Sequence, residues 1–333
     1  MSKLTGAAYD ELTGGVILQF KLSDFRVSGV TQRHSGEVID YGVKMSGAPL
    51  EWGETMGEGI RIGVIDTGVD LRHEDLRGAI AEARNFVDER KSAQDDNGHG
   101  THICGIIGAR YNGIGVVGVA PKCSLYVAKA FDDEGSADFE AIKKSFQWLI
   151  SRRVHIINMS FSSSTANDEY EQIVKEAFDN NITLVCAAGN DGRAPMGINT
   201  IGYPARFPET IAVSAVDPYK RITKFSSQGA QSEICAAGKD IYSTCINNSY
   251  IKLSGTSMAT PIISGAVALF QGKAYRRYKR YLTPQEIRLL LHFYAEEIGR
   301  DGWDKNYGYG IFSFGRLDKS EYINSMVAKN RRR

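Results

Sequence analysis

Alternation is the feature that most limits the folds open to this chain. Ile60 to Ile65, "IRIGVI", is a short run rich in β-branched residues, of the kind that lies buried on both faces in a parallel sheet. "CSLYVAKAF", "VHIINMS", "NITLVCAA" and "TIAVSAV" repeat the pattern downstream. Between them lie "SADFEAIKKSFQWLISRR" and "NDEYEQIVKEAFDNN", which read as helices. Strands separated by helices make βαβ units, so the chain is read as an α/β fold with a mainly parallel sheet. Thr283-Pro284-Gln285-Glu286 has the form of a capping box with proline at the first helical position, which predicts a helix through about Glu297. No repeat and no linker divides the 333 residues, a length that suits one large domain.

Composition narrows the function classes. The net charge is +1, so no global field draws the chain to nucleic acid or to an anionic membrane. The opening "MSKLTGAAYDELTGG" lacks the long apolar core of a signal peptide. The most apolar run, Met258 to Phe270, is short and contains Thr, Pro and Ser, which argues against a membrane span. The five cysteines, Cys104, Cys123, Cys186, Cys235 and Cys245, form no C-x-x-C pair and read as reduced, mostly buried thiols of a cytosolic protein. The first ~35 residues stand outside the alternation. They hold a strand-like "GGVILQFKL" followed by the polar "TQRHSGE".

Four places carry side chains suited to chemistry. "GVIDTGVD" runs a strand into a glycine-containing turn, which sets Asp66 at the carboxyl edge of the sheet, where open α/β sheets place their sites. "DDNGHGTHICG" opens a helix and offers His99 and His102. "VCAAGNDG" brings Asn190 to the end of a strand. "LSGTSMATPIISGAVALF" puts Ser257 near the start of an apolar helix, where unpaired backbone N–H groups can face a developing negative charge. An acid, an imidazole, a hydroxyl and an amide donor are the inventory for nucleophilic acyl transfer. Plainer readings stay open residue by residue. Asp66 and Asn190 could be turn residues, Ser257 a helix cap, and the two histidines a metal pair or a structural pair. Zinc would want a third ligand and usually i, i+4 spacing, and neither is evident.

Taken together, in the order Asp, His, Asn, Ser, these stretches resemble the subtilisin family of serine proteases. The resemblance runs from about Val38 to about Phe314 and includes "GVVGVAPKCSLYVAKAF" and "IGYPARFPETIAVSAV". It is closest to the bacterial intracellular subtilisins, whose mature domain begins much like "EVIDYGVKMSGAP". The resemblance implies a three-layer fold with a central parallel sheet flanked by helices. It implies a serine endopeptidase that works through an acyl-enzyme, with Asp66, His99 and Ser257 as triad, Asn190 in the oxyanion hole, and His102 structural. Residues 1–36 become an N-terminal extension, read either as an inhibitory pro-segment cut within "TQRHSGE" or as an extra strand packed elsewhere for stability. Residues 37–318 become the catalytic domain and 319–333 a basic tail.

The resemblance also implies a substrate strand laid along "NMSFSSS", with Ser160, Phe161 and Ser162 forming one wall of the primary side-chain pocket and Ala187, Ala188 and Gly189 the other. Ser162-Ser163 replaces the Gly-Gly usual in the family, which puts the family's preference for large apolar side chains in question. A structural calcium ion is implied at Glu37, Asp75 and the loop "RYNGIGV", with the Asn112 side chain and the carbonyls of Arg110, Ile114 and Val116 completing an all-oxygen shell. The expected partners are peptides or proteins in the cytoplasm, with room for a homodimer and no role for nucleic acid or membrane. The basic stretches "GKAYRRYKRY" and "KNRRR" read as a solvated helix face and a tail. Two rival readings are a maturation protease with one narrow peptide substrate and a non-catalytic binding module.

Overall fold

The computed structural model describes residues 8–9, 16–22, 25–31, 36–192 and 198–315. The N-terminal extension carries four short strands, β1 (Ala8–Tyr9), β2 (Val16–Ile17), β3 (Gln19–Lys21) and β4 (Arg26–Thr31). A five-residue helix, α1 (Tyr41–Met45), follows. The alternation then runs β5 (Arg61–Asp66), β6 (Ile80–Asn85), α2 (His99–Gly108), β7 (Ser124–Lys129), β8 (Ser136–Asp138), α3 (Phe139–Ser151), β9 (Ile156–Met159), α4 (Asp168–Asp179), β10 (Thr183–Ala187) and β11 (Thr210–Val216). The last part holds β12 (Ser232–Ala237), the hairpin β13 (Ile241–Cys245) and β14 (Ser249–Ser254), then α5 (Thr256–Tyr278), α6 (Pro284–Phe293), β15 (Ala295–Glu296) and β16 (Ile311–Phe312).

One nine-stranded sheet organises the molecule, in the order β15-β16-β12-β11-β10-β9-β5-β7-β6. Every neighbouring pair is parallel except β15 with β16. Buried strands with apolar residues on both sides need a helical layer on each face. Ile62 and Val64 of β5 join the core that contains Ile103 of α2, Ile263 and Val267 of α5, and Ile287 of α6. Ile65 joins the opposite core with Ile142 and Phe146 of α3 and Ile173 and Val174 of α4. This is the three-layer α/β architecture that the alternation and the resemblance imply.

The helices begin where local chemistry allows. Asp138 caps α3 by accepting the Ala141 N–H at 2.7 Å, and Asn167 caps α4 by accepting that of Tyr170 at 2.9 Å. The capping box of α6 forms in both directions, Glu286 N–H to Thr283 Oγ1 and Thr283 N–H to Glu286 Oε2. That helix stops at Phe293, four residues short of the expected end, because Ala295 and Glu296 pair with Phe312 and Ile311 as strands. The strongly apolar α5 is buried at every position from Thr256 to Gly272. Among the described residues, no helix is long and apolar enough to cross a membrane. Arg276 and Arg277, at the end of α5, are exposed. All five cysteines are free thiols, and only Cys245 is not fully buried. The tail 319–333, and His34 within "TQRHSGE", lie outside the described residues.

Candidate active site

Parallel strands end at one edge, and the four singled-out side chains lie at strand ends or helix starts in two groups, Asp66 with His99, and Asn190 beside the Thr256–Ser257 turn. Asp66 is the last residue of β5 and is fully buried. Its Oδ1 accepts the Thr67 N–H at 2.8 Å and lies 2.8 Å from His99 Nδ1. His99 is the first residue of α2, set by Gly98 at φ 105°, a backbone conformation that favours glycine. The helix can come this close because position 100 is glycine. A Cβ there would meet the Gly68 carbonyl oxygen at 2.2 Å. Thr67 Oγ1 accepts the Gly100 N–H at 2.9 Å, a direct tie from the end of β5 to α2. Asp95 braces the same helix start by accepting the N–H groups of Asn97, Gly98 and Thr101.

Ser257 is the second residue of α5 and is fully buried. Its hydroxyl donates to the Ser160 carbonyl at 2.9 Å. His99 Nε2 is buried and makes no hydrogen bond among the described residues. Asn190 follows Gly189 at the end of β10. Its Oδ1 accepts both the N–H of Thr256 at 2.9 Å and the Thr256 hydroxyl at 3.0 Å. Those two bonds fix which way the amide faces, and the Thr256 hydroxyl in turn accepts the Gly189 N–H at 3.2 Å. Thr256 is a functional neighbour that the sequence reading did not single out, although it sits beside Ser257 in the quoted motif.

His102 is separate from this cluster's chemistry. Its Nε2 lies 3.1 Å from the Ile241 carbonyl and 3.2 Å from that of Ile251. Burial, helped by nearby His99, depresses its pKa to about 3. A neutral imidazole spanning two strands of the hairpin is a structural element.

The segments expected to bind substrate surround an intramolecular strand. β3 lies antiparallel to β8, with Phe20 opposite Ala137 and Lys21 opposite Ser136. The Leu22 N–H donates to the Gly135 carbonyl at 2.9 Å, and Lys21 forms an antiparallel bridge with Ser162. The extension is therefore threaded between residues 135–138 and the "SFSSS" segment. Phe20 is 1% exposed and packs against Phe139, Phe161 and Tyr170, with ring centroids 6.3, 6.0 and 5.1 Å away. Phe161 thus turns its ring into this aromatic cage. Ser160, Ala187 and Ala188 are buried at the strand ends beside Ser257 and Asn190, whereas Ser162 is partly exposed. The Ser163 hydroxyl is engaged locally, donating to the Thr165 carbonyl at 3.0 Å. Further along the extension, the Phe25 ring lies against that of His99, centroids 5.2 Å apart. β4 then pairs antiparallel with β14, the strand that leads to Ser257.

A second cluster lies at the expected cation site. Asp75 is fully buried, and its carboxylate accepts from Val116 N–H at 2.7 Å, Asn112 Nδ2 at 3.2 Å and the Tyr250 hydroxyl at 3.3 Å. Glu37 Oε1 accepts the Asn112 and Gly113 N–H groups at 2.7 and 3.0 Å. Burial pushes the Asp75 carboxyl up to about 7, and Glu37 adds to the rise. The Arg110 guanidinium supplies no counter-charge, since it donates to the carbonyls of Pro121, Cys123 and Gly78. Glu74, Arg77, Arg110, Asn112 and Ile114 line an open cavity at this loop. Among the described residues no three His, Cys, Asp or Glu side chains cluster in metal-binding fashion, so a shell here needs amide and main-chain oxygens. A buried acid with a second carboxylate close by, in an oxygen-rich loop whose Arg110 guanidinium is engaged by carbonyls, fits a hard divalent cation.

Comparison with known proteins gives the family. The profile of the Subtilase family matches residues 57–310. An intracellular serine protease of Paenibacillus polymyxa is 37% identical over 266 residues, 79% of this chain and 82% of the relative. A thermostable alkaline protease of Halalkalibacterium halodurans is 41% identical over 260 residues, covering 78% and 68% of the two chains. The major intracellular serine protease of Bacillus subtilis is 36% identical over 252 residues, covering 74% and 79%. The chain belongs to the subtilase family and is a subtilisin-like serine endopeptidase, acting on peptide or protein substrates.

Proposed function

We propose that this protease cuts peptide bonds through an acyl-enzyme built on Asp66, His99 and Ser257, and that its own N-terminal extension holds it in check. The buried 2.8 Å contact between Asp66 Oδ1 and His99 Nδ1 is the observation that supports the triad most directly. Asp66 fixes the imidazole tautomer that leaves Nε2 free to act as base. The Ser257 hydroxyl, bonded to Ser160 O, has to swing to Nε2 before it can lose its proton. The attacked carbonyl oxygen becomes an oxyanion, which the Asn190 amide and the Ser257 backbone N–H would stabilise. His99 then protonates the leaving amine, and water reverses the sequence at the acyl-enzyme. Substitution Ser257→Ala is expected to abolish hydrolysis and labelling by serine-directed reagents with no loss of fold. Undiminished turnover in that variant would overturn the assignment.

The same reading makes the protein an intracellular protease of degradation or processing, as two of its relatives are named. A cytoplasmic protease requires a brake, and two contacts support residues 1–36 in that role. Phe20 fills the aromatic cage in the manner of a bound peptide, by strand addition, and Phe25 covers the His99 ring. A tethered strand acts at an effective concentration on the millimolar scale. Full-length protein, verified intact by mass spectrometry, should cleave a small chromogenic peptide far more slowly than a chain beginning at Gly36. Equal rates from the first seconds would remove the brake.

Calcium would be held by Glu37, Asp75, Asn112 and the carbonyls of Arg110, Ile114 and Val116. When bound it supplies positive charge that joins the chain after the extension to the loop following α2, a stabilising role with no part in the chemical step.

A further inference from the structure

We propose that Lys129 is a positioning residue: its ammonium clamps the turn after Asp66 to the turn before His99 and so fixes the acid–base pair. The proposal rests on the assignment of those two residues given above. Lys129 ends β7 and is the register partner of Asp66 at the end of β5. Its side chain is 5% exposed, so the ammonium is held in the interior. Nζ donates to the Thr67 carbonyl at 2.7 Å and to Asp96 Oδ1 at 2.6 Å. Thr67 adjoins Asp66 and gives it an N–H bond. Asp96 lies three positions before His99, in the turn whose Asn97 accepts the His99 N–H at 3.1 Å. One cation thus joins the backbone of the acid to the loop that launches the base.

A filler would not be built this way. Burying an ammonium is costly, and an apolar side chain would occupy the same space without that cost. Other ties cross this gap. The Val69 N–H donates to the Ala93 carbonyl and the Asp95 N–H to the Val69 carbonyl, each at 3.1 Å, and Thr67 Oγ1 accepts the Gly100 N–H inside the helix. The two backbone bonds hold the chain at Val69, three residues past Asp66, and at Ala93 and Asp95, four or more residues before His99, whereas the ammonium reaches Thr67 and Asp96, closer to both. Only the Lys129 bridge, among the described residues, connects the turn after Asp66 to the residues that precede His99 through a charged pair. The Asp96 side chain is 55% exposed, so that half of the clamp can be removed without opening the core.

Two readouts test the clamp. In kinetics normalised by active-site titration, Lys129→Met should lower kcat by about 10- to 100-fold with KM changed by less than about threefold, as expected when reacting groups are displaced by an ångström or less. Asp96→Ala should cost about three- to tenfold in kcat, and Asp96→Asn, which keeps an acceptor oxygen, should recover most of that. The double variant should be no worse than Lys129→Met alone, because both remove one bridge. In full-length protein carrying Ser257→Ala, the low-field proton resonance of His99 Nδ1–H should broaden or vanish on adding either Lys129→Met or Asp96→Ala. If both single variants keep kcat within about twofold and leave that resonance in place, the clamp is overturned. It is equally overturned if Lys129→Met lowers kcat only in step with melting temperature while Asp96→Ala changes neither readout. Should the chain beginning at Gly36 prove inactive as well, the triad assignment fails, and the resonance still decides the clamp.

Discussion

Asp66 and Asp75 are both fully buried carboxylates on the same stretch of chain, and their surroundings could hardly differ more. Asp66 faces an imidazole that can share a proton with it. Asp75 faces an N–H group, a phenol and an amide, with a second carboxylate nearby and the Arg110 guanidinium turned to backbone carbonyls. In the function proposed above, the first environment is completed when a proton moves, and the second when a cation arrives. On that reading buried charge marks two kinds of site here, one for chemistry and one for holding the structure together, and the partner tells them apart.

The contrast breaks most visibly at Asp66. Asp66→Asn should lower kcat by about 10⁴-fold, a size known for triads of this kind, subtilisin's own among them. Its melting temperature should fall by only a few degrees, and a loss of activity that merely follows unfolding would refute the catalytic role. At Asp75 the effects should be reversed in kind. Excess chelator should lower the melting temperature by roughly 5–10 °C, from about 2.7 kcal/mol of mass-action stabilisation at a hundredfold excess of calcium over Kd. Turnover per active site should hardly change, and Asp75→Asn should erase the response to calcium. An identical melting curve with and without chelator would end the comparison. The subtlest expectation concerns pH. With its folded pKa raised to about 7 against about 4 when unfolded, Asp75 keeps a proton in the folded chain that the unfolded chain has lost. In chelator, stability should thus decline as pH rises from about 4 to about 7 and then level off. The wild-type curve minus that of Asp75→Asn isolates this decline, expected to be a few degrees, and saturating calcium should remove it.

Much of the fold could be read because burial on both faces writes itself as uninterrupted apolar sequence. Ile62, Val64 and Ile65, and the whole of Thr210–Val216, declare their strands. Ser232–Ala237 passed unnoticed, since Ser232 and Glu233 look like loop residues, yet all six positions are buried in the sheet. The β13–β14 hairpin was missed too, although Asn247-Asn248, with φ of 62° and 52°, is a recognisable turn signal. At the site, Asp66, His99, Asn190 and Ser257 could be named, but their roles came from resemblance, because each residue alone has a plainer use. Lys129 carried no signal at all. It is one lysine in an ordinary strand, and only the pairing of β5 with β7 and the turn before α2 bring its ammonium to Thr67 and Asp96. The extension read as a strand, whereas its destination depends on the cage of Phe139, Phe161 and Tyr170, side chains from α3, the stretch after β9 and α4.

The helix α5, buried without a break from Thr256 to Gly272, carries Ser257, the proposed nucleophile, in its first turn. Segments that expose their backbone open and close singly, while those enclosed by core open only when everything does. Hydrogen exchange at the amides around Met258 to Ile263 should therefore report the opening of the entire sheet, and β4, whose Arg26 to Gly29 side chains are exposed, should exchange orders of magnitude sooner. On that expectation Ser257 is rooted in the slowest-opening part of the protein, and the extension proposed to cover it in one of the fastest. A thermal or chemical insult should then strip away the extension well before it disordered the proposed nucleophile.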